Sequence, residues 1–198
     1  MREGEAEPPV FYYDVGSPYA WLSAERINAV LPRPPVWQPI LLGGLFKIYD
    51  RGSWAQTDER EAGMREVERR AAAYGLGSVC WPEPWPGNTL FAMRAATFAA
   101  RAGKAVSFSL AAFRQAYAGG RDLSDPDNVL IAGAACELHP RALLAGAQTQ
   151  ATKERLKHAT EEAARLGVVG VPSVRVGGEV FWGDDRLEEV ASRMAEAR

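Results

Sequence analysis

Val10-Phe11-Tyr12-Tyr13-Asp14-Val15-Gly16-Ser17-Pro18-Tyr19-Ala20 decides how this chain folds. Val10 to Asp14 is short, aromatic and β-branched, the composition of a buried strand. Serine followed by proline, just after Gly16, is the pattern of a helix N-cap with proline at the first helical position. Tyr19 to Leu31 then places Ala20, Leu22, Ala24, Ile27 and Leu31 at near-helical spacing, and Pro32, Pro34 and Pro35 end the helix. Val36 to Leu42 reads as a second strand, with Pro39 pushing it toward an edge or its end. Strand, helix, strand in this order implies a parallel pair joined by a right-handed crossover. Ser17 thus stands where a helix leaves backbone N–H groups unpaired and where its dipole favours an anion. Its hydroxyl is either a plain cap or a donor to a thiolate or other anion, and the local pattern leaves both open.

Beyond this opening the character changes. Residues 43–166 are rich in alanine, arginine and glutamate, and the spacing predicts helices over Thr57 to Tyr74, Asn88 to Ala102, Ser107 to Ala118, Pro126 to Cys136 and Thr149 to Leu166. Breaks fall at Gly75-Leu76-Gly77, Gly103, Gly119-Gly120 and His139-Pro140. Trp81-Pro82-Glu83-Pro84-Trp85-Pro86-Gly87 is too rich in proline and glycine for regular structure. The end returns to strands: Ser173 to Val176 and Glu179 to Trp182 flank the two-residue hairpin signal Gly177-Gly178. Asp184-Asp185 opens a last helix over Arg186 to Ala195, with acid at the end the dipole prefers. A helical block between the halves of a small sheet implies an insertion. The expected organisation is one domain from residues 10–42 and 167–198, interrupted by helical residues 43–166.

Composition narrows the function. The chain has 198 residues, 47% hydrophobic and 24% charged, with a net charge of -2, so nothing draws it to nucleic acid or to an anionic membrane. No apolar run is long enough to span a bilayer, and Met1 to Pro9 is polar and acidic, unlike a signal peptide. The two cysteines, Cys80 and Cys136, lie far apart, which argues against a disulfide framework and fits a reducing cytoplasm. Neither is expected to be catalytic. His139 and His158 lack partners at metal-ligand spacing, so no metal is expected. Trp54, Trp81, Trp85 and Trp182 are either walls of an aromatic pocket or core.

The whole order resembles the thioredoxin superfamily: strand, four-residue segment at a helix start, then a distant Val171-Pro172 before a hairpin. The helical block resembles its DsbA-like branch. There the helix start carries Cys-x-x-Cys; here the four residues are Ser17-Pro18-Tyr19-Ala20, so dithiol chemistry is impossible at this position. The stretches Phe11 to Tyr19, Leu42-Gly43-Gly44-Leu45-Phe46-Lys47, Pro86-Gly87-Asn88-Thr89, Gly167-Val168-Val169-Gly170-Val171-Pro172 and Phe181 to Leu187 resemble the 2-hydroxychromene-2-carboxylate isomerases and kappa-class glutathione transferases. The resemblance implies an α/β thioredoxin-like fold, β-α-β … β-β-α, with a helical insertion. It implies glutathione as cosubstrate, with Ser17 at the sulfur and Val171, preceding a cis Pro172, pairing with the tripeptide backbone. The segment Trp182, Gly183, Asp184 and Asp185 would hold the γ-glutamyl end. Asp184 is either a ligand or a cap, and Asp185 is the better partner for an ammonium. Lys47 and Asn88 fall where an acidic aromatic substrate would bind. Family members place further polar residues after Lys47 that have no counterpart here; Arg51 and Arg60 are the candidates for that cation. Relatives are commonly dimers.

Three function classes follow. The first is a glutathione-dependent cis–trans isomerase acting on an unsaturated, aromatic pyruvate-like substrate. The second is a glutathione transferase, and the third a non-catalytic module that uses the same groove to bind a thiol or peptide. A disulfide oxidoreductase fits poorly, for want of the cysteines.

Overall fold

The structure is a computed structural model describing residues 7–196. Residues 1–6, where the sequence argues against a signal peptide, and residues 197–198 lie outside the described residues.

The opening stretch folds as read. Strand β1 (Val10–Tyr13) leads into helix α1 (Pro18–Val30), whose N-cap is Ser17 with Pro18 in the first turn. Strand β2 (Val36–Pro39) pairs parallel with β1, Val10 opposite Val36 and Tyr13 opposite Pro39. Strand β3 (Ser173–Val176) pairs antiparallel with β1, and β4 (Glu179–Trp182) pairs antiparallel with β3. The sheet order is β2-β1-β3-β4. Gly177 and Gly178 both have positive φ, which the two-residue hairpin requires.

Alternation along β1 sorts its side chains into two cores. Phe11 and Tyr13 point into the larger cluster, where they pack with Trp37 and the helices, while Tyr12 joins a smaller cluster with Ile40, Leu45, Ala163, Val168 and Val171. The phenol of Tyr13 is fully buried and shares a 2.6 Å hydrogen bond with Ser109. Burial pushes its ionisation well above the ordinary value, with the Ser109 bond opposing.

Between β2 and β3 lie α2 (Leu42–Ile48), a 3-10 turn at Trp54–Gln56, α3 (Arg60–Ala73), α4 (Leu90–Arg101), α5 (Ala105–Tyr117), α6 (Pro126–Ala134), α7 (Pro140–Gln148) and α8 (Gln150–Arg165). A 3-10 turn at Asp184–Arg186 leads into α9 (Leu187–Glu196). The inserted helices do not keep a core to themselves: Met93, Phe108, Phe113 and Leu143 share the cluster of Phe11 and Trp37.

Two elements differ from the sequence reading. β2 stops at Pro39, and Leu42 begins α2 rather than ending a strand. Gly43-Gly44 weakens helix propensity, but Gly44 lets the helix approach α8, since a Cβ there would lie 3.0 Å from Thr160 Cγ2. Helix α7 stands where only a break was expected. Its His139 side chain accepts the Arg141 N–H at 3.2 Å with Pro140 in the first turn, so the break is in fact a cap.

Candidate active site

The N-terminus of α1, the N-terminus of α2, the Trp54 turn, the start of α4 and the loops at 170–172 and 182–185 surround a cavity of about 880 Å3. The bond between Val171 and Pro172 is cis. Ser17, Val171 and Pro172 all line the cavity, so the helix start and the distant proline do share one site.

Ser17 is nearly buried, and its Oγ accepts the Ala20 N–H at 3.2 Å. That settles the cap but uses only an oxygen lone pair. The hydroxyl proton has no acceptor among the described residues, and neither does the N–H of Tyr19 in the first turn. Two donors at the positive end of a helix are therefore available to an anion in the cavity. No cysteine lines it; Cys80 is exposed elsewhere and Cys136 is buried.

Asp14 holds this end together. Its Oδ1 accepts from Gly16 N–H and Thr89 Oγ1, both at 2.9 Å, and its Oδ2 accepts from Leu42 N–H at 2.8 Å. One buried carboxyl thus ties the Ser17 loop to the starts of α2 and α4. Burial pushes its pKa up, against the pull of these bonds. Tyr117 braces the same loop by donating to Gly16 C=O at 2.6 Å.

Opposite Ser17, the ladder between β1 and β3 stops at Ser173. Val171 lies beyond it, and its backbone N–H and C=O make no hydrogen bond to the described residues. Gly183 N–H donates to Pro172 C=O at 3.0 Å, at a φ of +126° that suits glycine. Trp182 is half exposed and lies on Gly170, where a Cβ would fall 2.8 Å from the indole Nε1.

The acidic pair behaves asymmetrically. Asp184 is buried, ion-paired with Arg70 at 2.7 Å, and accepts from Tyr74 OH at 3.0 Å, so it is structurally engaged rather than a plain cap. Its pKa is raised by burial, with Arg70 opposing. Asp185 is exposed on the cavity wall, 3.5 Å from the same guanidinium. Arg70 is shared with Glu66 as well, at 2.7 Å.

Lys47 and Arg51 also line the cavity, and neither makes an ion pair with the described residues. Arg51 lies 5.4 Å from the centre of the Trp182 ring. Arg60 is turned away: it donates to Trp85 C=O at 2.9 Å and does not line this cavity. Asn88 is on the wall, with its Oδ1 accepting Leu90 N–H at 3.0 Å and its amide nitrogen left over. Of the four tryptophans weighed, Trp54, Trp85 and Trp182 line the cavity, while Trp81 packs behind Trp85 and donates to Glu68. Among the described residues no cluster of side chains has the make-up of a metal site, and no helix is long and apolar enough to cross a membrane.

The sequence reading missed Asp14, Thr89, Arg70 and Tyr74. Asp14 is an acid at the end of an otherwise apolar strand, which is the one local signal it gives. Arg70 lies within α3, Tyr74 caps the end of that helix and Thr89 caps the start of α4, and nothing local marks any of the three as part of a site.

A family model described as a DsbA-like thioredoxin domain matches residues 10–195. The chain belongs to that family. Within it, the chain is 26% identical to a 2-hydroxychromene-2-carboxylate isomerase of Sphingobium xenophagum, over 92% of this chain and 95% of that one. Its fold is similar to a solved 2-hydroxychromene-2-carboxylate isomerase structure, with TM-score 0.82, 19% identity, and 96% and 95% of the two chains covered. It is similar also to a probable DsbA oxidoreductase of Streptomyces coelicolor, with TM-score 0.77, 18% identity, and 96% and 90% covered.

Proposed function

We propose that this protein is a glutathione-dependent isomerase of the 2-hydroxychromene-2-carboxylate type. The observation that carries the reading is the pair of unengaged donors at the start of α1, Ser17 hydroxyl and Tyr19 N–H, in a cavity without a cysteine. A free cysteine-like thiol titrates near ~8.5, and two donors with a helix N-terminus favour its anion. Glutathione supplies the missing sulfur. Its backbone would pair with the unengaged N–H and C=O of Val171, as an added strand does. Its ammonium would face Asp185, the exposed acid of the pair. The similarity to a protein named as an isomerase supports this choice over the transferase reading.

In the reaction, the hemiketal ring of the substrate first opens, its ring C–O bond breaking as the hydroxyl proton passes to the phenol oxygen, which unmasks the carbonyl. The thiolate sulfur then bonds to the far carbon of the adjoining double bond, and the electron pair moves into that carbonyl as an enolate. Rotation about the new single bond follows. Collapse of the enolate expels the thiolate, so the double bond returns in the other geometry and glutathione is recovered. Lys47 and Asn88, which line the cavity, would hold the substrate carboxylate.

The test is turnover of 2-hydroxychromene-2-carboxylate by the purified chain with and without glutathione, together with a thiol count. Isomerisation that requires glutathione and leaves the thiol count unchanged is expected. Net loss of thiol with a chlorinated nitrobenzene would favour the transferase. Failure of glutathione to bind at millimolar concentration would overturn both.

A further inference from the structure

Helix α3 carries Gly63 in its interior, where alanine would be the better helix former. The backbone does not call for glycine: Gly63 is not among the positive-φ residues. What excludes a side chain is Trp54. A Cβ on Gly63 would lie 2.2 Å from Cζ3, 2.5 Å from Cε3 and 2.8 Å from Cη2, all on the benzo half of the indole. The ring therefore rests directly on the helix backbone. Trp54 is fixed from both sides as well: Ser53 Oγ accepts the Ala55 N–H at 3.2 Å, and Thr57 Oγ1 donates to Trp54 C=O at 2.9 Å. The seated indole meets Trp85 at 5.4 Å and Tyr19 at 6.0 Å between ring centres, and all three line the cavity. Tyr19 is two residues from Ser17. The cavity thus has an aromatic compartment next to the anion-binding helix start. Its cations without an ion pair to the described residues are Lys47 and Arg51, because Arg70 is engaged by Glu66, Asp184 and Asp185.

We propose that Gly63 is a specificity-determining position: by seating Trp54 it keeps open a compartment that takes a planar aromatic carboxylate, with the rings of Trp54, Trp85 and Tyr19 against its faces and edges. This assigns a residue to the second substrate of the proposed isomerase and rests on that reading for the reaction, though not for the compartment. Gly63 touches no substrate. It acts through Trp54, which alanine would push off the helix and into the space the ligand needs.

The experiment is titration calorimetry of the full chain with 2-naphthoate, a planar aromatic acid that cannot react, and separately with glutathione. Gly63→Ala is expected to weaken naphthoate binding by about tenfold or more, the scale at which one methyl group changes a fitted pocket, with glutathione affinity unchanged. Combined with Trp54→Leu, which removes the clashing ring, Gly63→Ala is expected to have no further effect. Trp54→Leu alone must weaken naphthoate binding, and this keeps the proposal testable if Gly63→Ala does not fold. No naphthoate binding to the natural chain, binding by a folded Gly63→Ala equal to that of the natural chain, or binding unchanged in Trp54→Leu would overturn it. Absence of glutathione binding with intact, Gly63-sensitive naphthoate binding would overturn the thiol reading alone.

Discussion

Ser17 accepts a hydrogen bond from the chain and still has a proton to give, and the two roles separate by substitution. Glycine serves as an N-cap within a few tenths of a kcal/mol of serine, so Ser17→Gly should leave the unfolding midpoint almost unchanged. Losing the hydroxyl donor should lower turnover about 100-fold and return the bound thiol toward its free pKa. The thiolate absorbance of bound glutathione followed against pH reads the second effect, and an unshifted curve would count against the thiolate role. Asp14 makes a different prediction. In Asp14→Asn the amide NH2 must face either Gly16 N–H or Leu42 N–H, so a donor meets a donor, at a cost of about 1–3 kcal/mol. Burial raises the folded pKa of Asp14 above its unfolded value. The folded state therefore binds the proton more tightly, and this group's contribution is fully present below the ordinary carboxyl pKa and is lost as pH rises through the folded one. The deficit of Asp14→Asn should accordingly be largest in acid and shrink toward neutral pH. Urea midpoints across that range check both sign and size.

At the next level up, glycines decide how closely helices approach. Gly146 of α7 lies against α4, where a Cβ would fall 2.1 Å from Phe98 Cε2 and 2.2 Å from Cδ2. By propensity alone Gly146→Ala should stabilise the helix, by close to 1 kcal/mol. The clash with an aromatic ring in a packed interface outweighs this, and a net loss of about 1–3 kcal/mol is expected from overpacking. Thermal unfolding decides between the two signs. The same logic explains why α2 and α7 were hard to read. Gly43-Gly44 and Gly146 lower the local helix signal, and Gly44 and Gly146 stand where the helix packs closely against another, a contact that a window of sequence does not contain. His139-Pro140 was nonetheless legible in principle, because it repeats the cap-plus-proline pattern of Ser17-Pro18 and Asp125-Pro126.

Across the molecule, Arg70 links the inserted helices to the C-terminal part of the chain. It joins Glu66 on its own helix to Asp184 and Asp185 after β4, and Tyr74 adds a second contact to Asp184. Hydrogen bonds from Arg69 and then Arg70 push the Glu66 carboxyl down to about 2. Arg70→Met keeps most of the side-chain volume and leaves Asp184, itself nearly inaccessible, without its counter-ion. A loss on the order of 2 kcal/mol is expected, less than for a fully buried pair because the guanidinium is partly solvated. Adding Asp184→Asn should recover part of it, since the uncompensated charge is gone. A double-mutant cycle by urea unfolding measures the coupling, and additive losses would show that the two residues do not act together. Arg26 strengthens the same junction through Asp184 C=O at 3.3 Å and an ion pair with Glu188.

The fold class was readable because its signals are local. The aromatic and β-branched run Val10 to Tyr13, proline after a cap at Ser17, and paired glycines at 177–178 each act over a few residues, and their order along the chain names the architecture. Ser17 was marked as a cap by the same kind of local pattern, whereas Val171, Pro172, Trp182 and Asp185 were marked by the family resemblance. Asp14, Arg70, Thr89 and the seat for Trp54 at Gly63 were not. Asp14 and Arg70 each have a decisive partner far along the chain, Leu42 at 28 positions and Asp184 at 114, and hydrogen bonds and ring contacts form by proximity in space. Which of two aspartates is exposed, which of two arginines enters the cavity, and why a helix keeps a glycine were settled only when the chain folded back on itself.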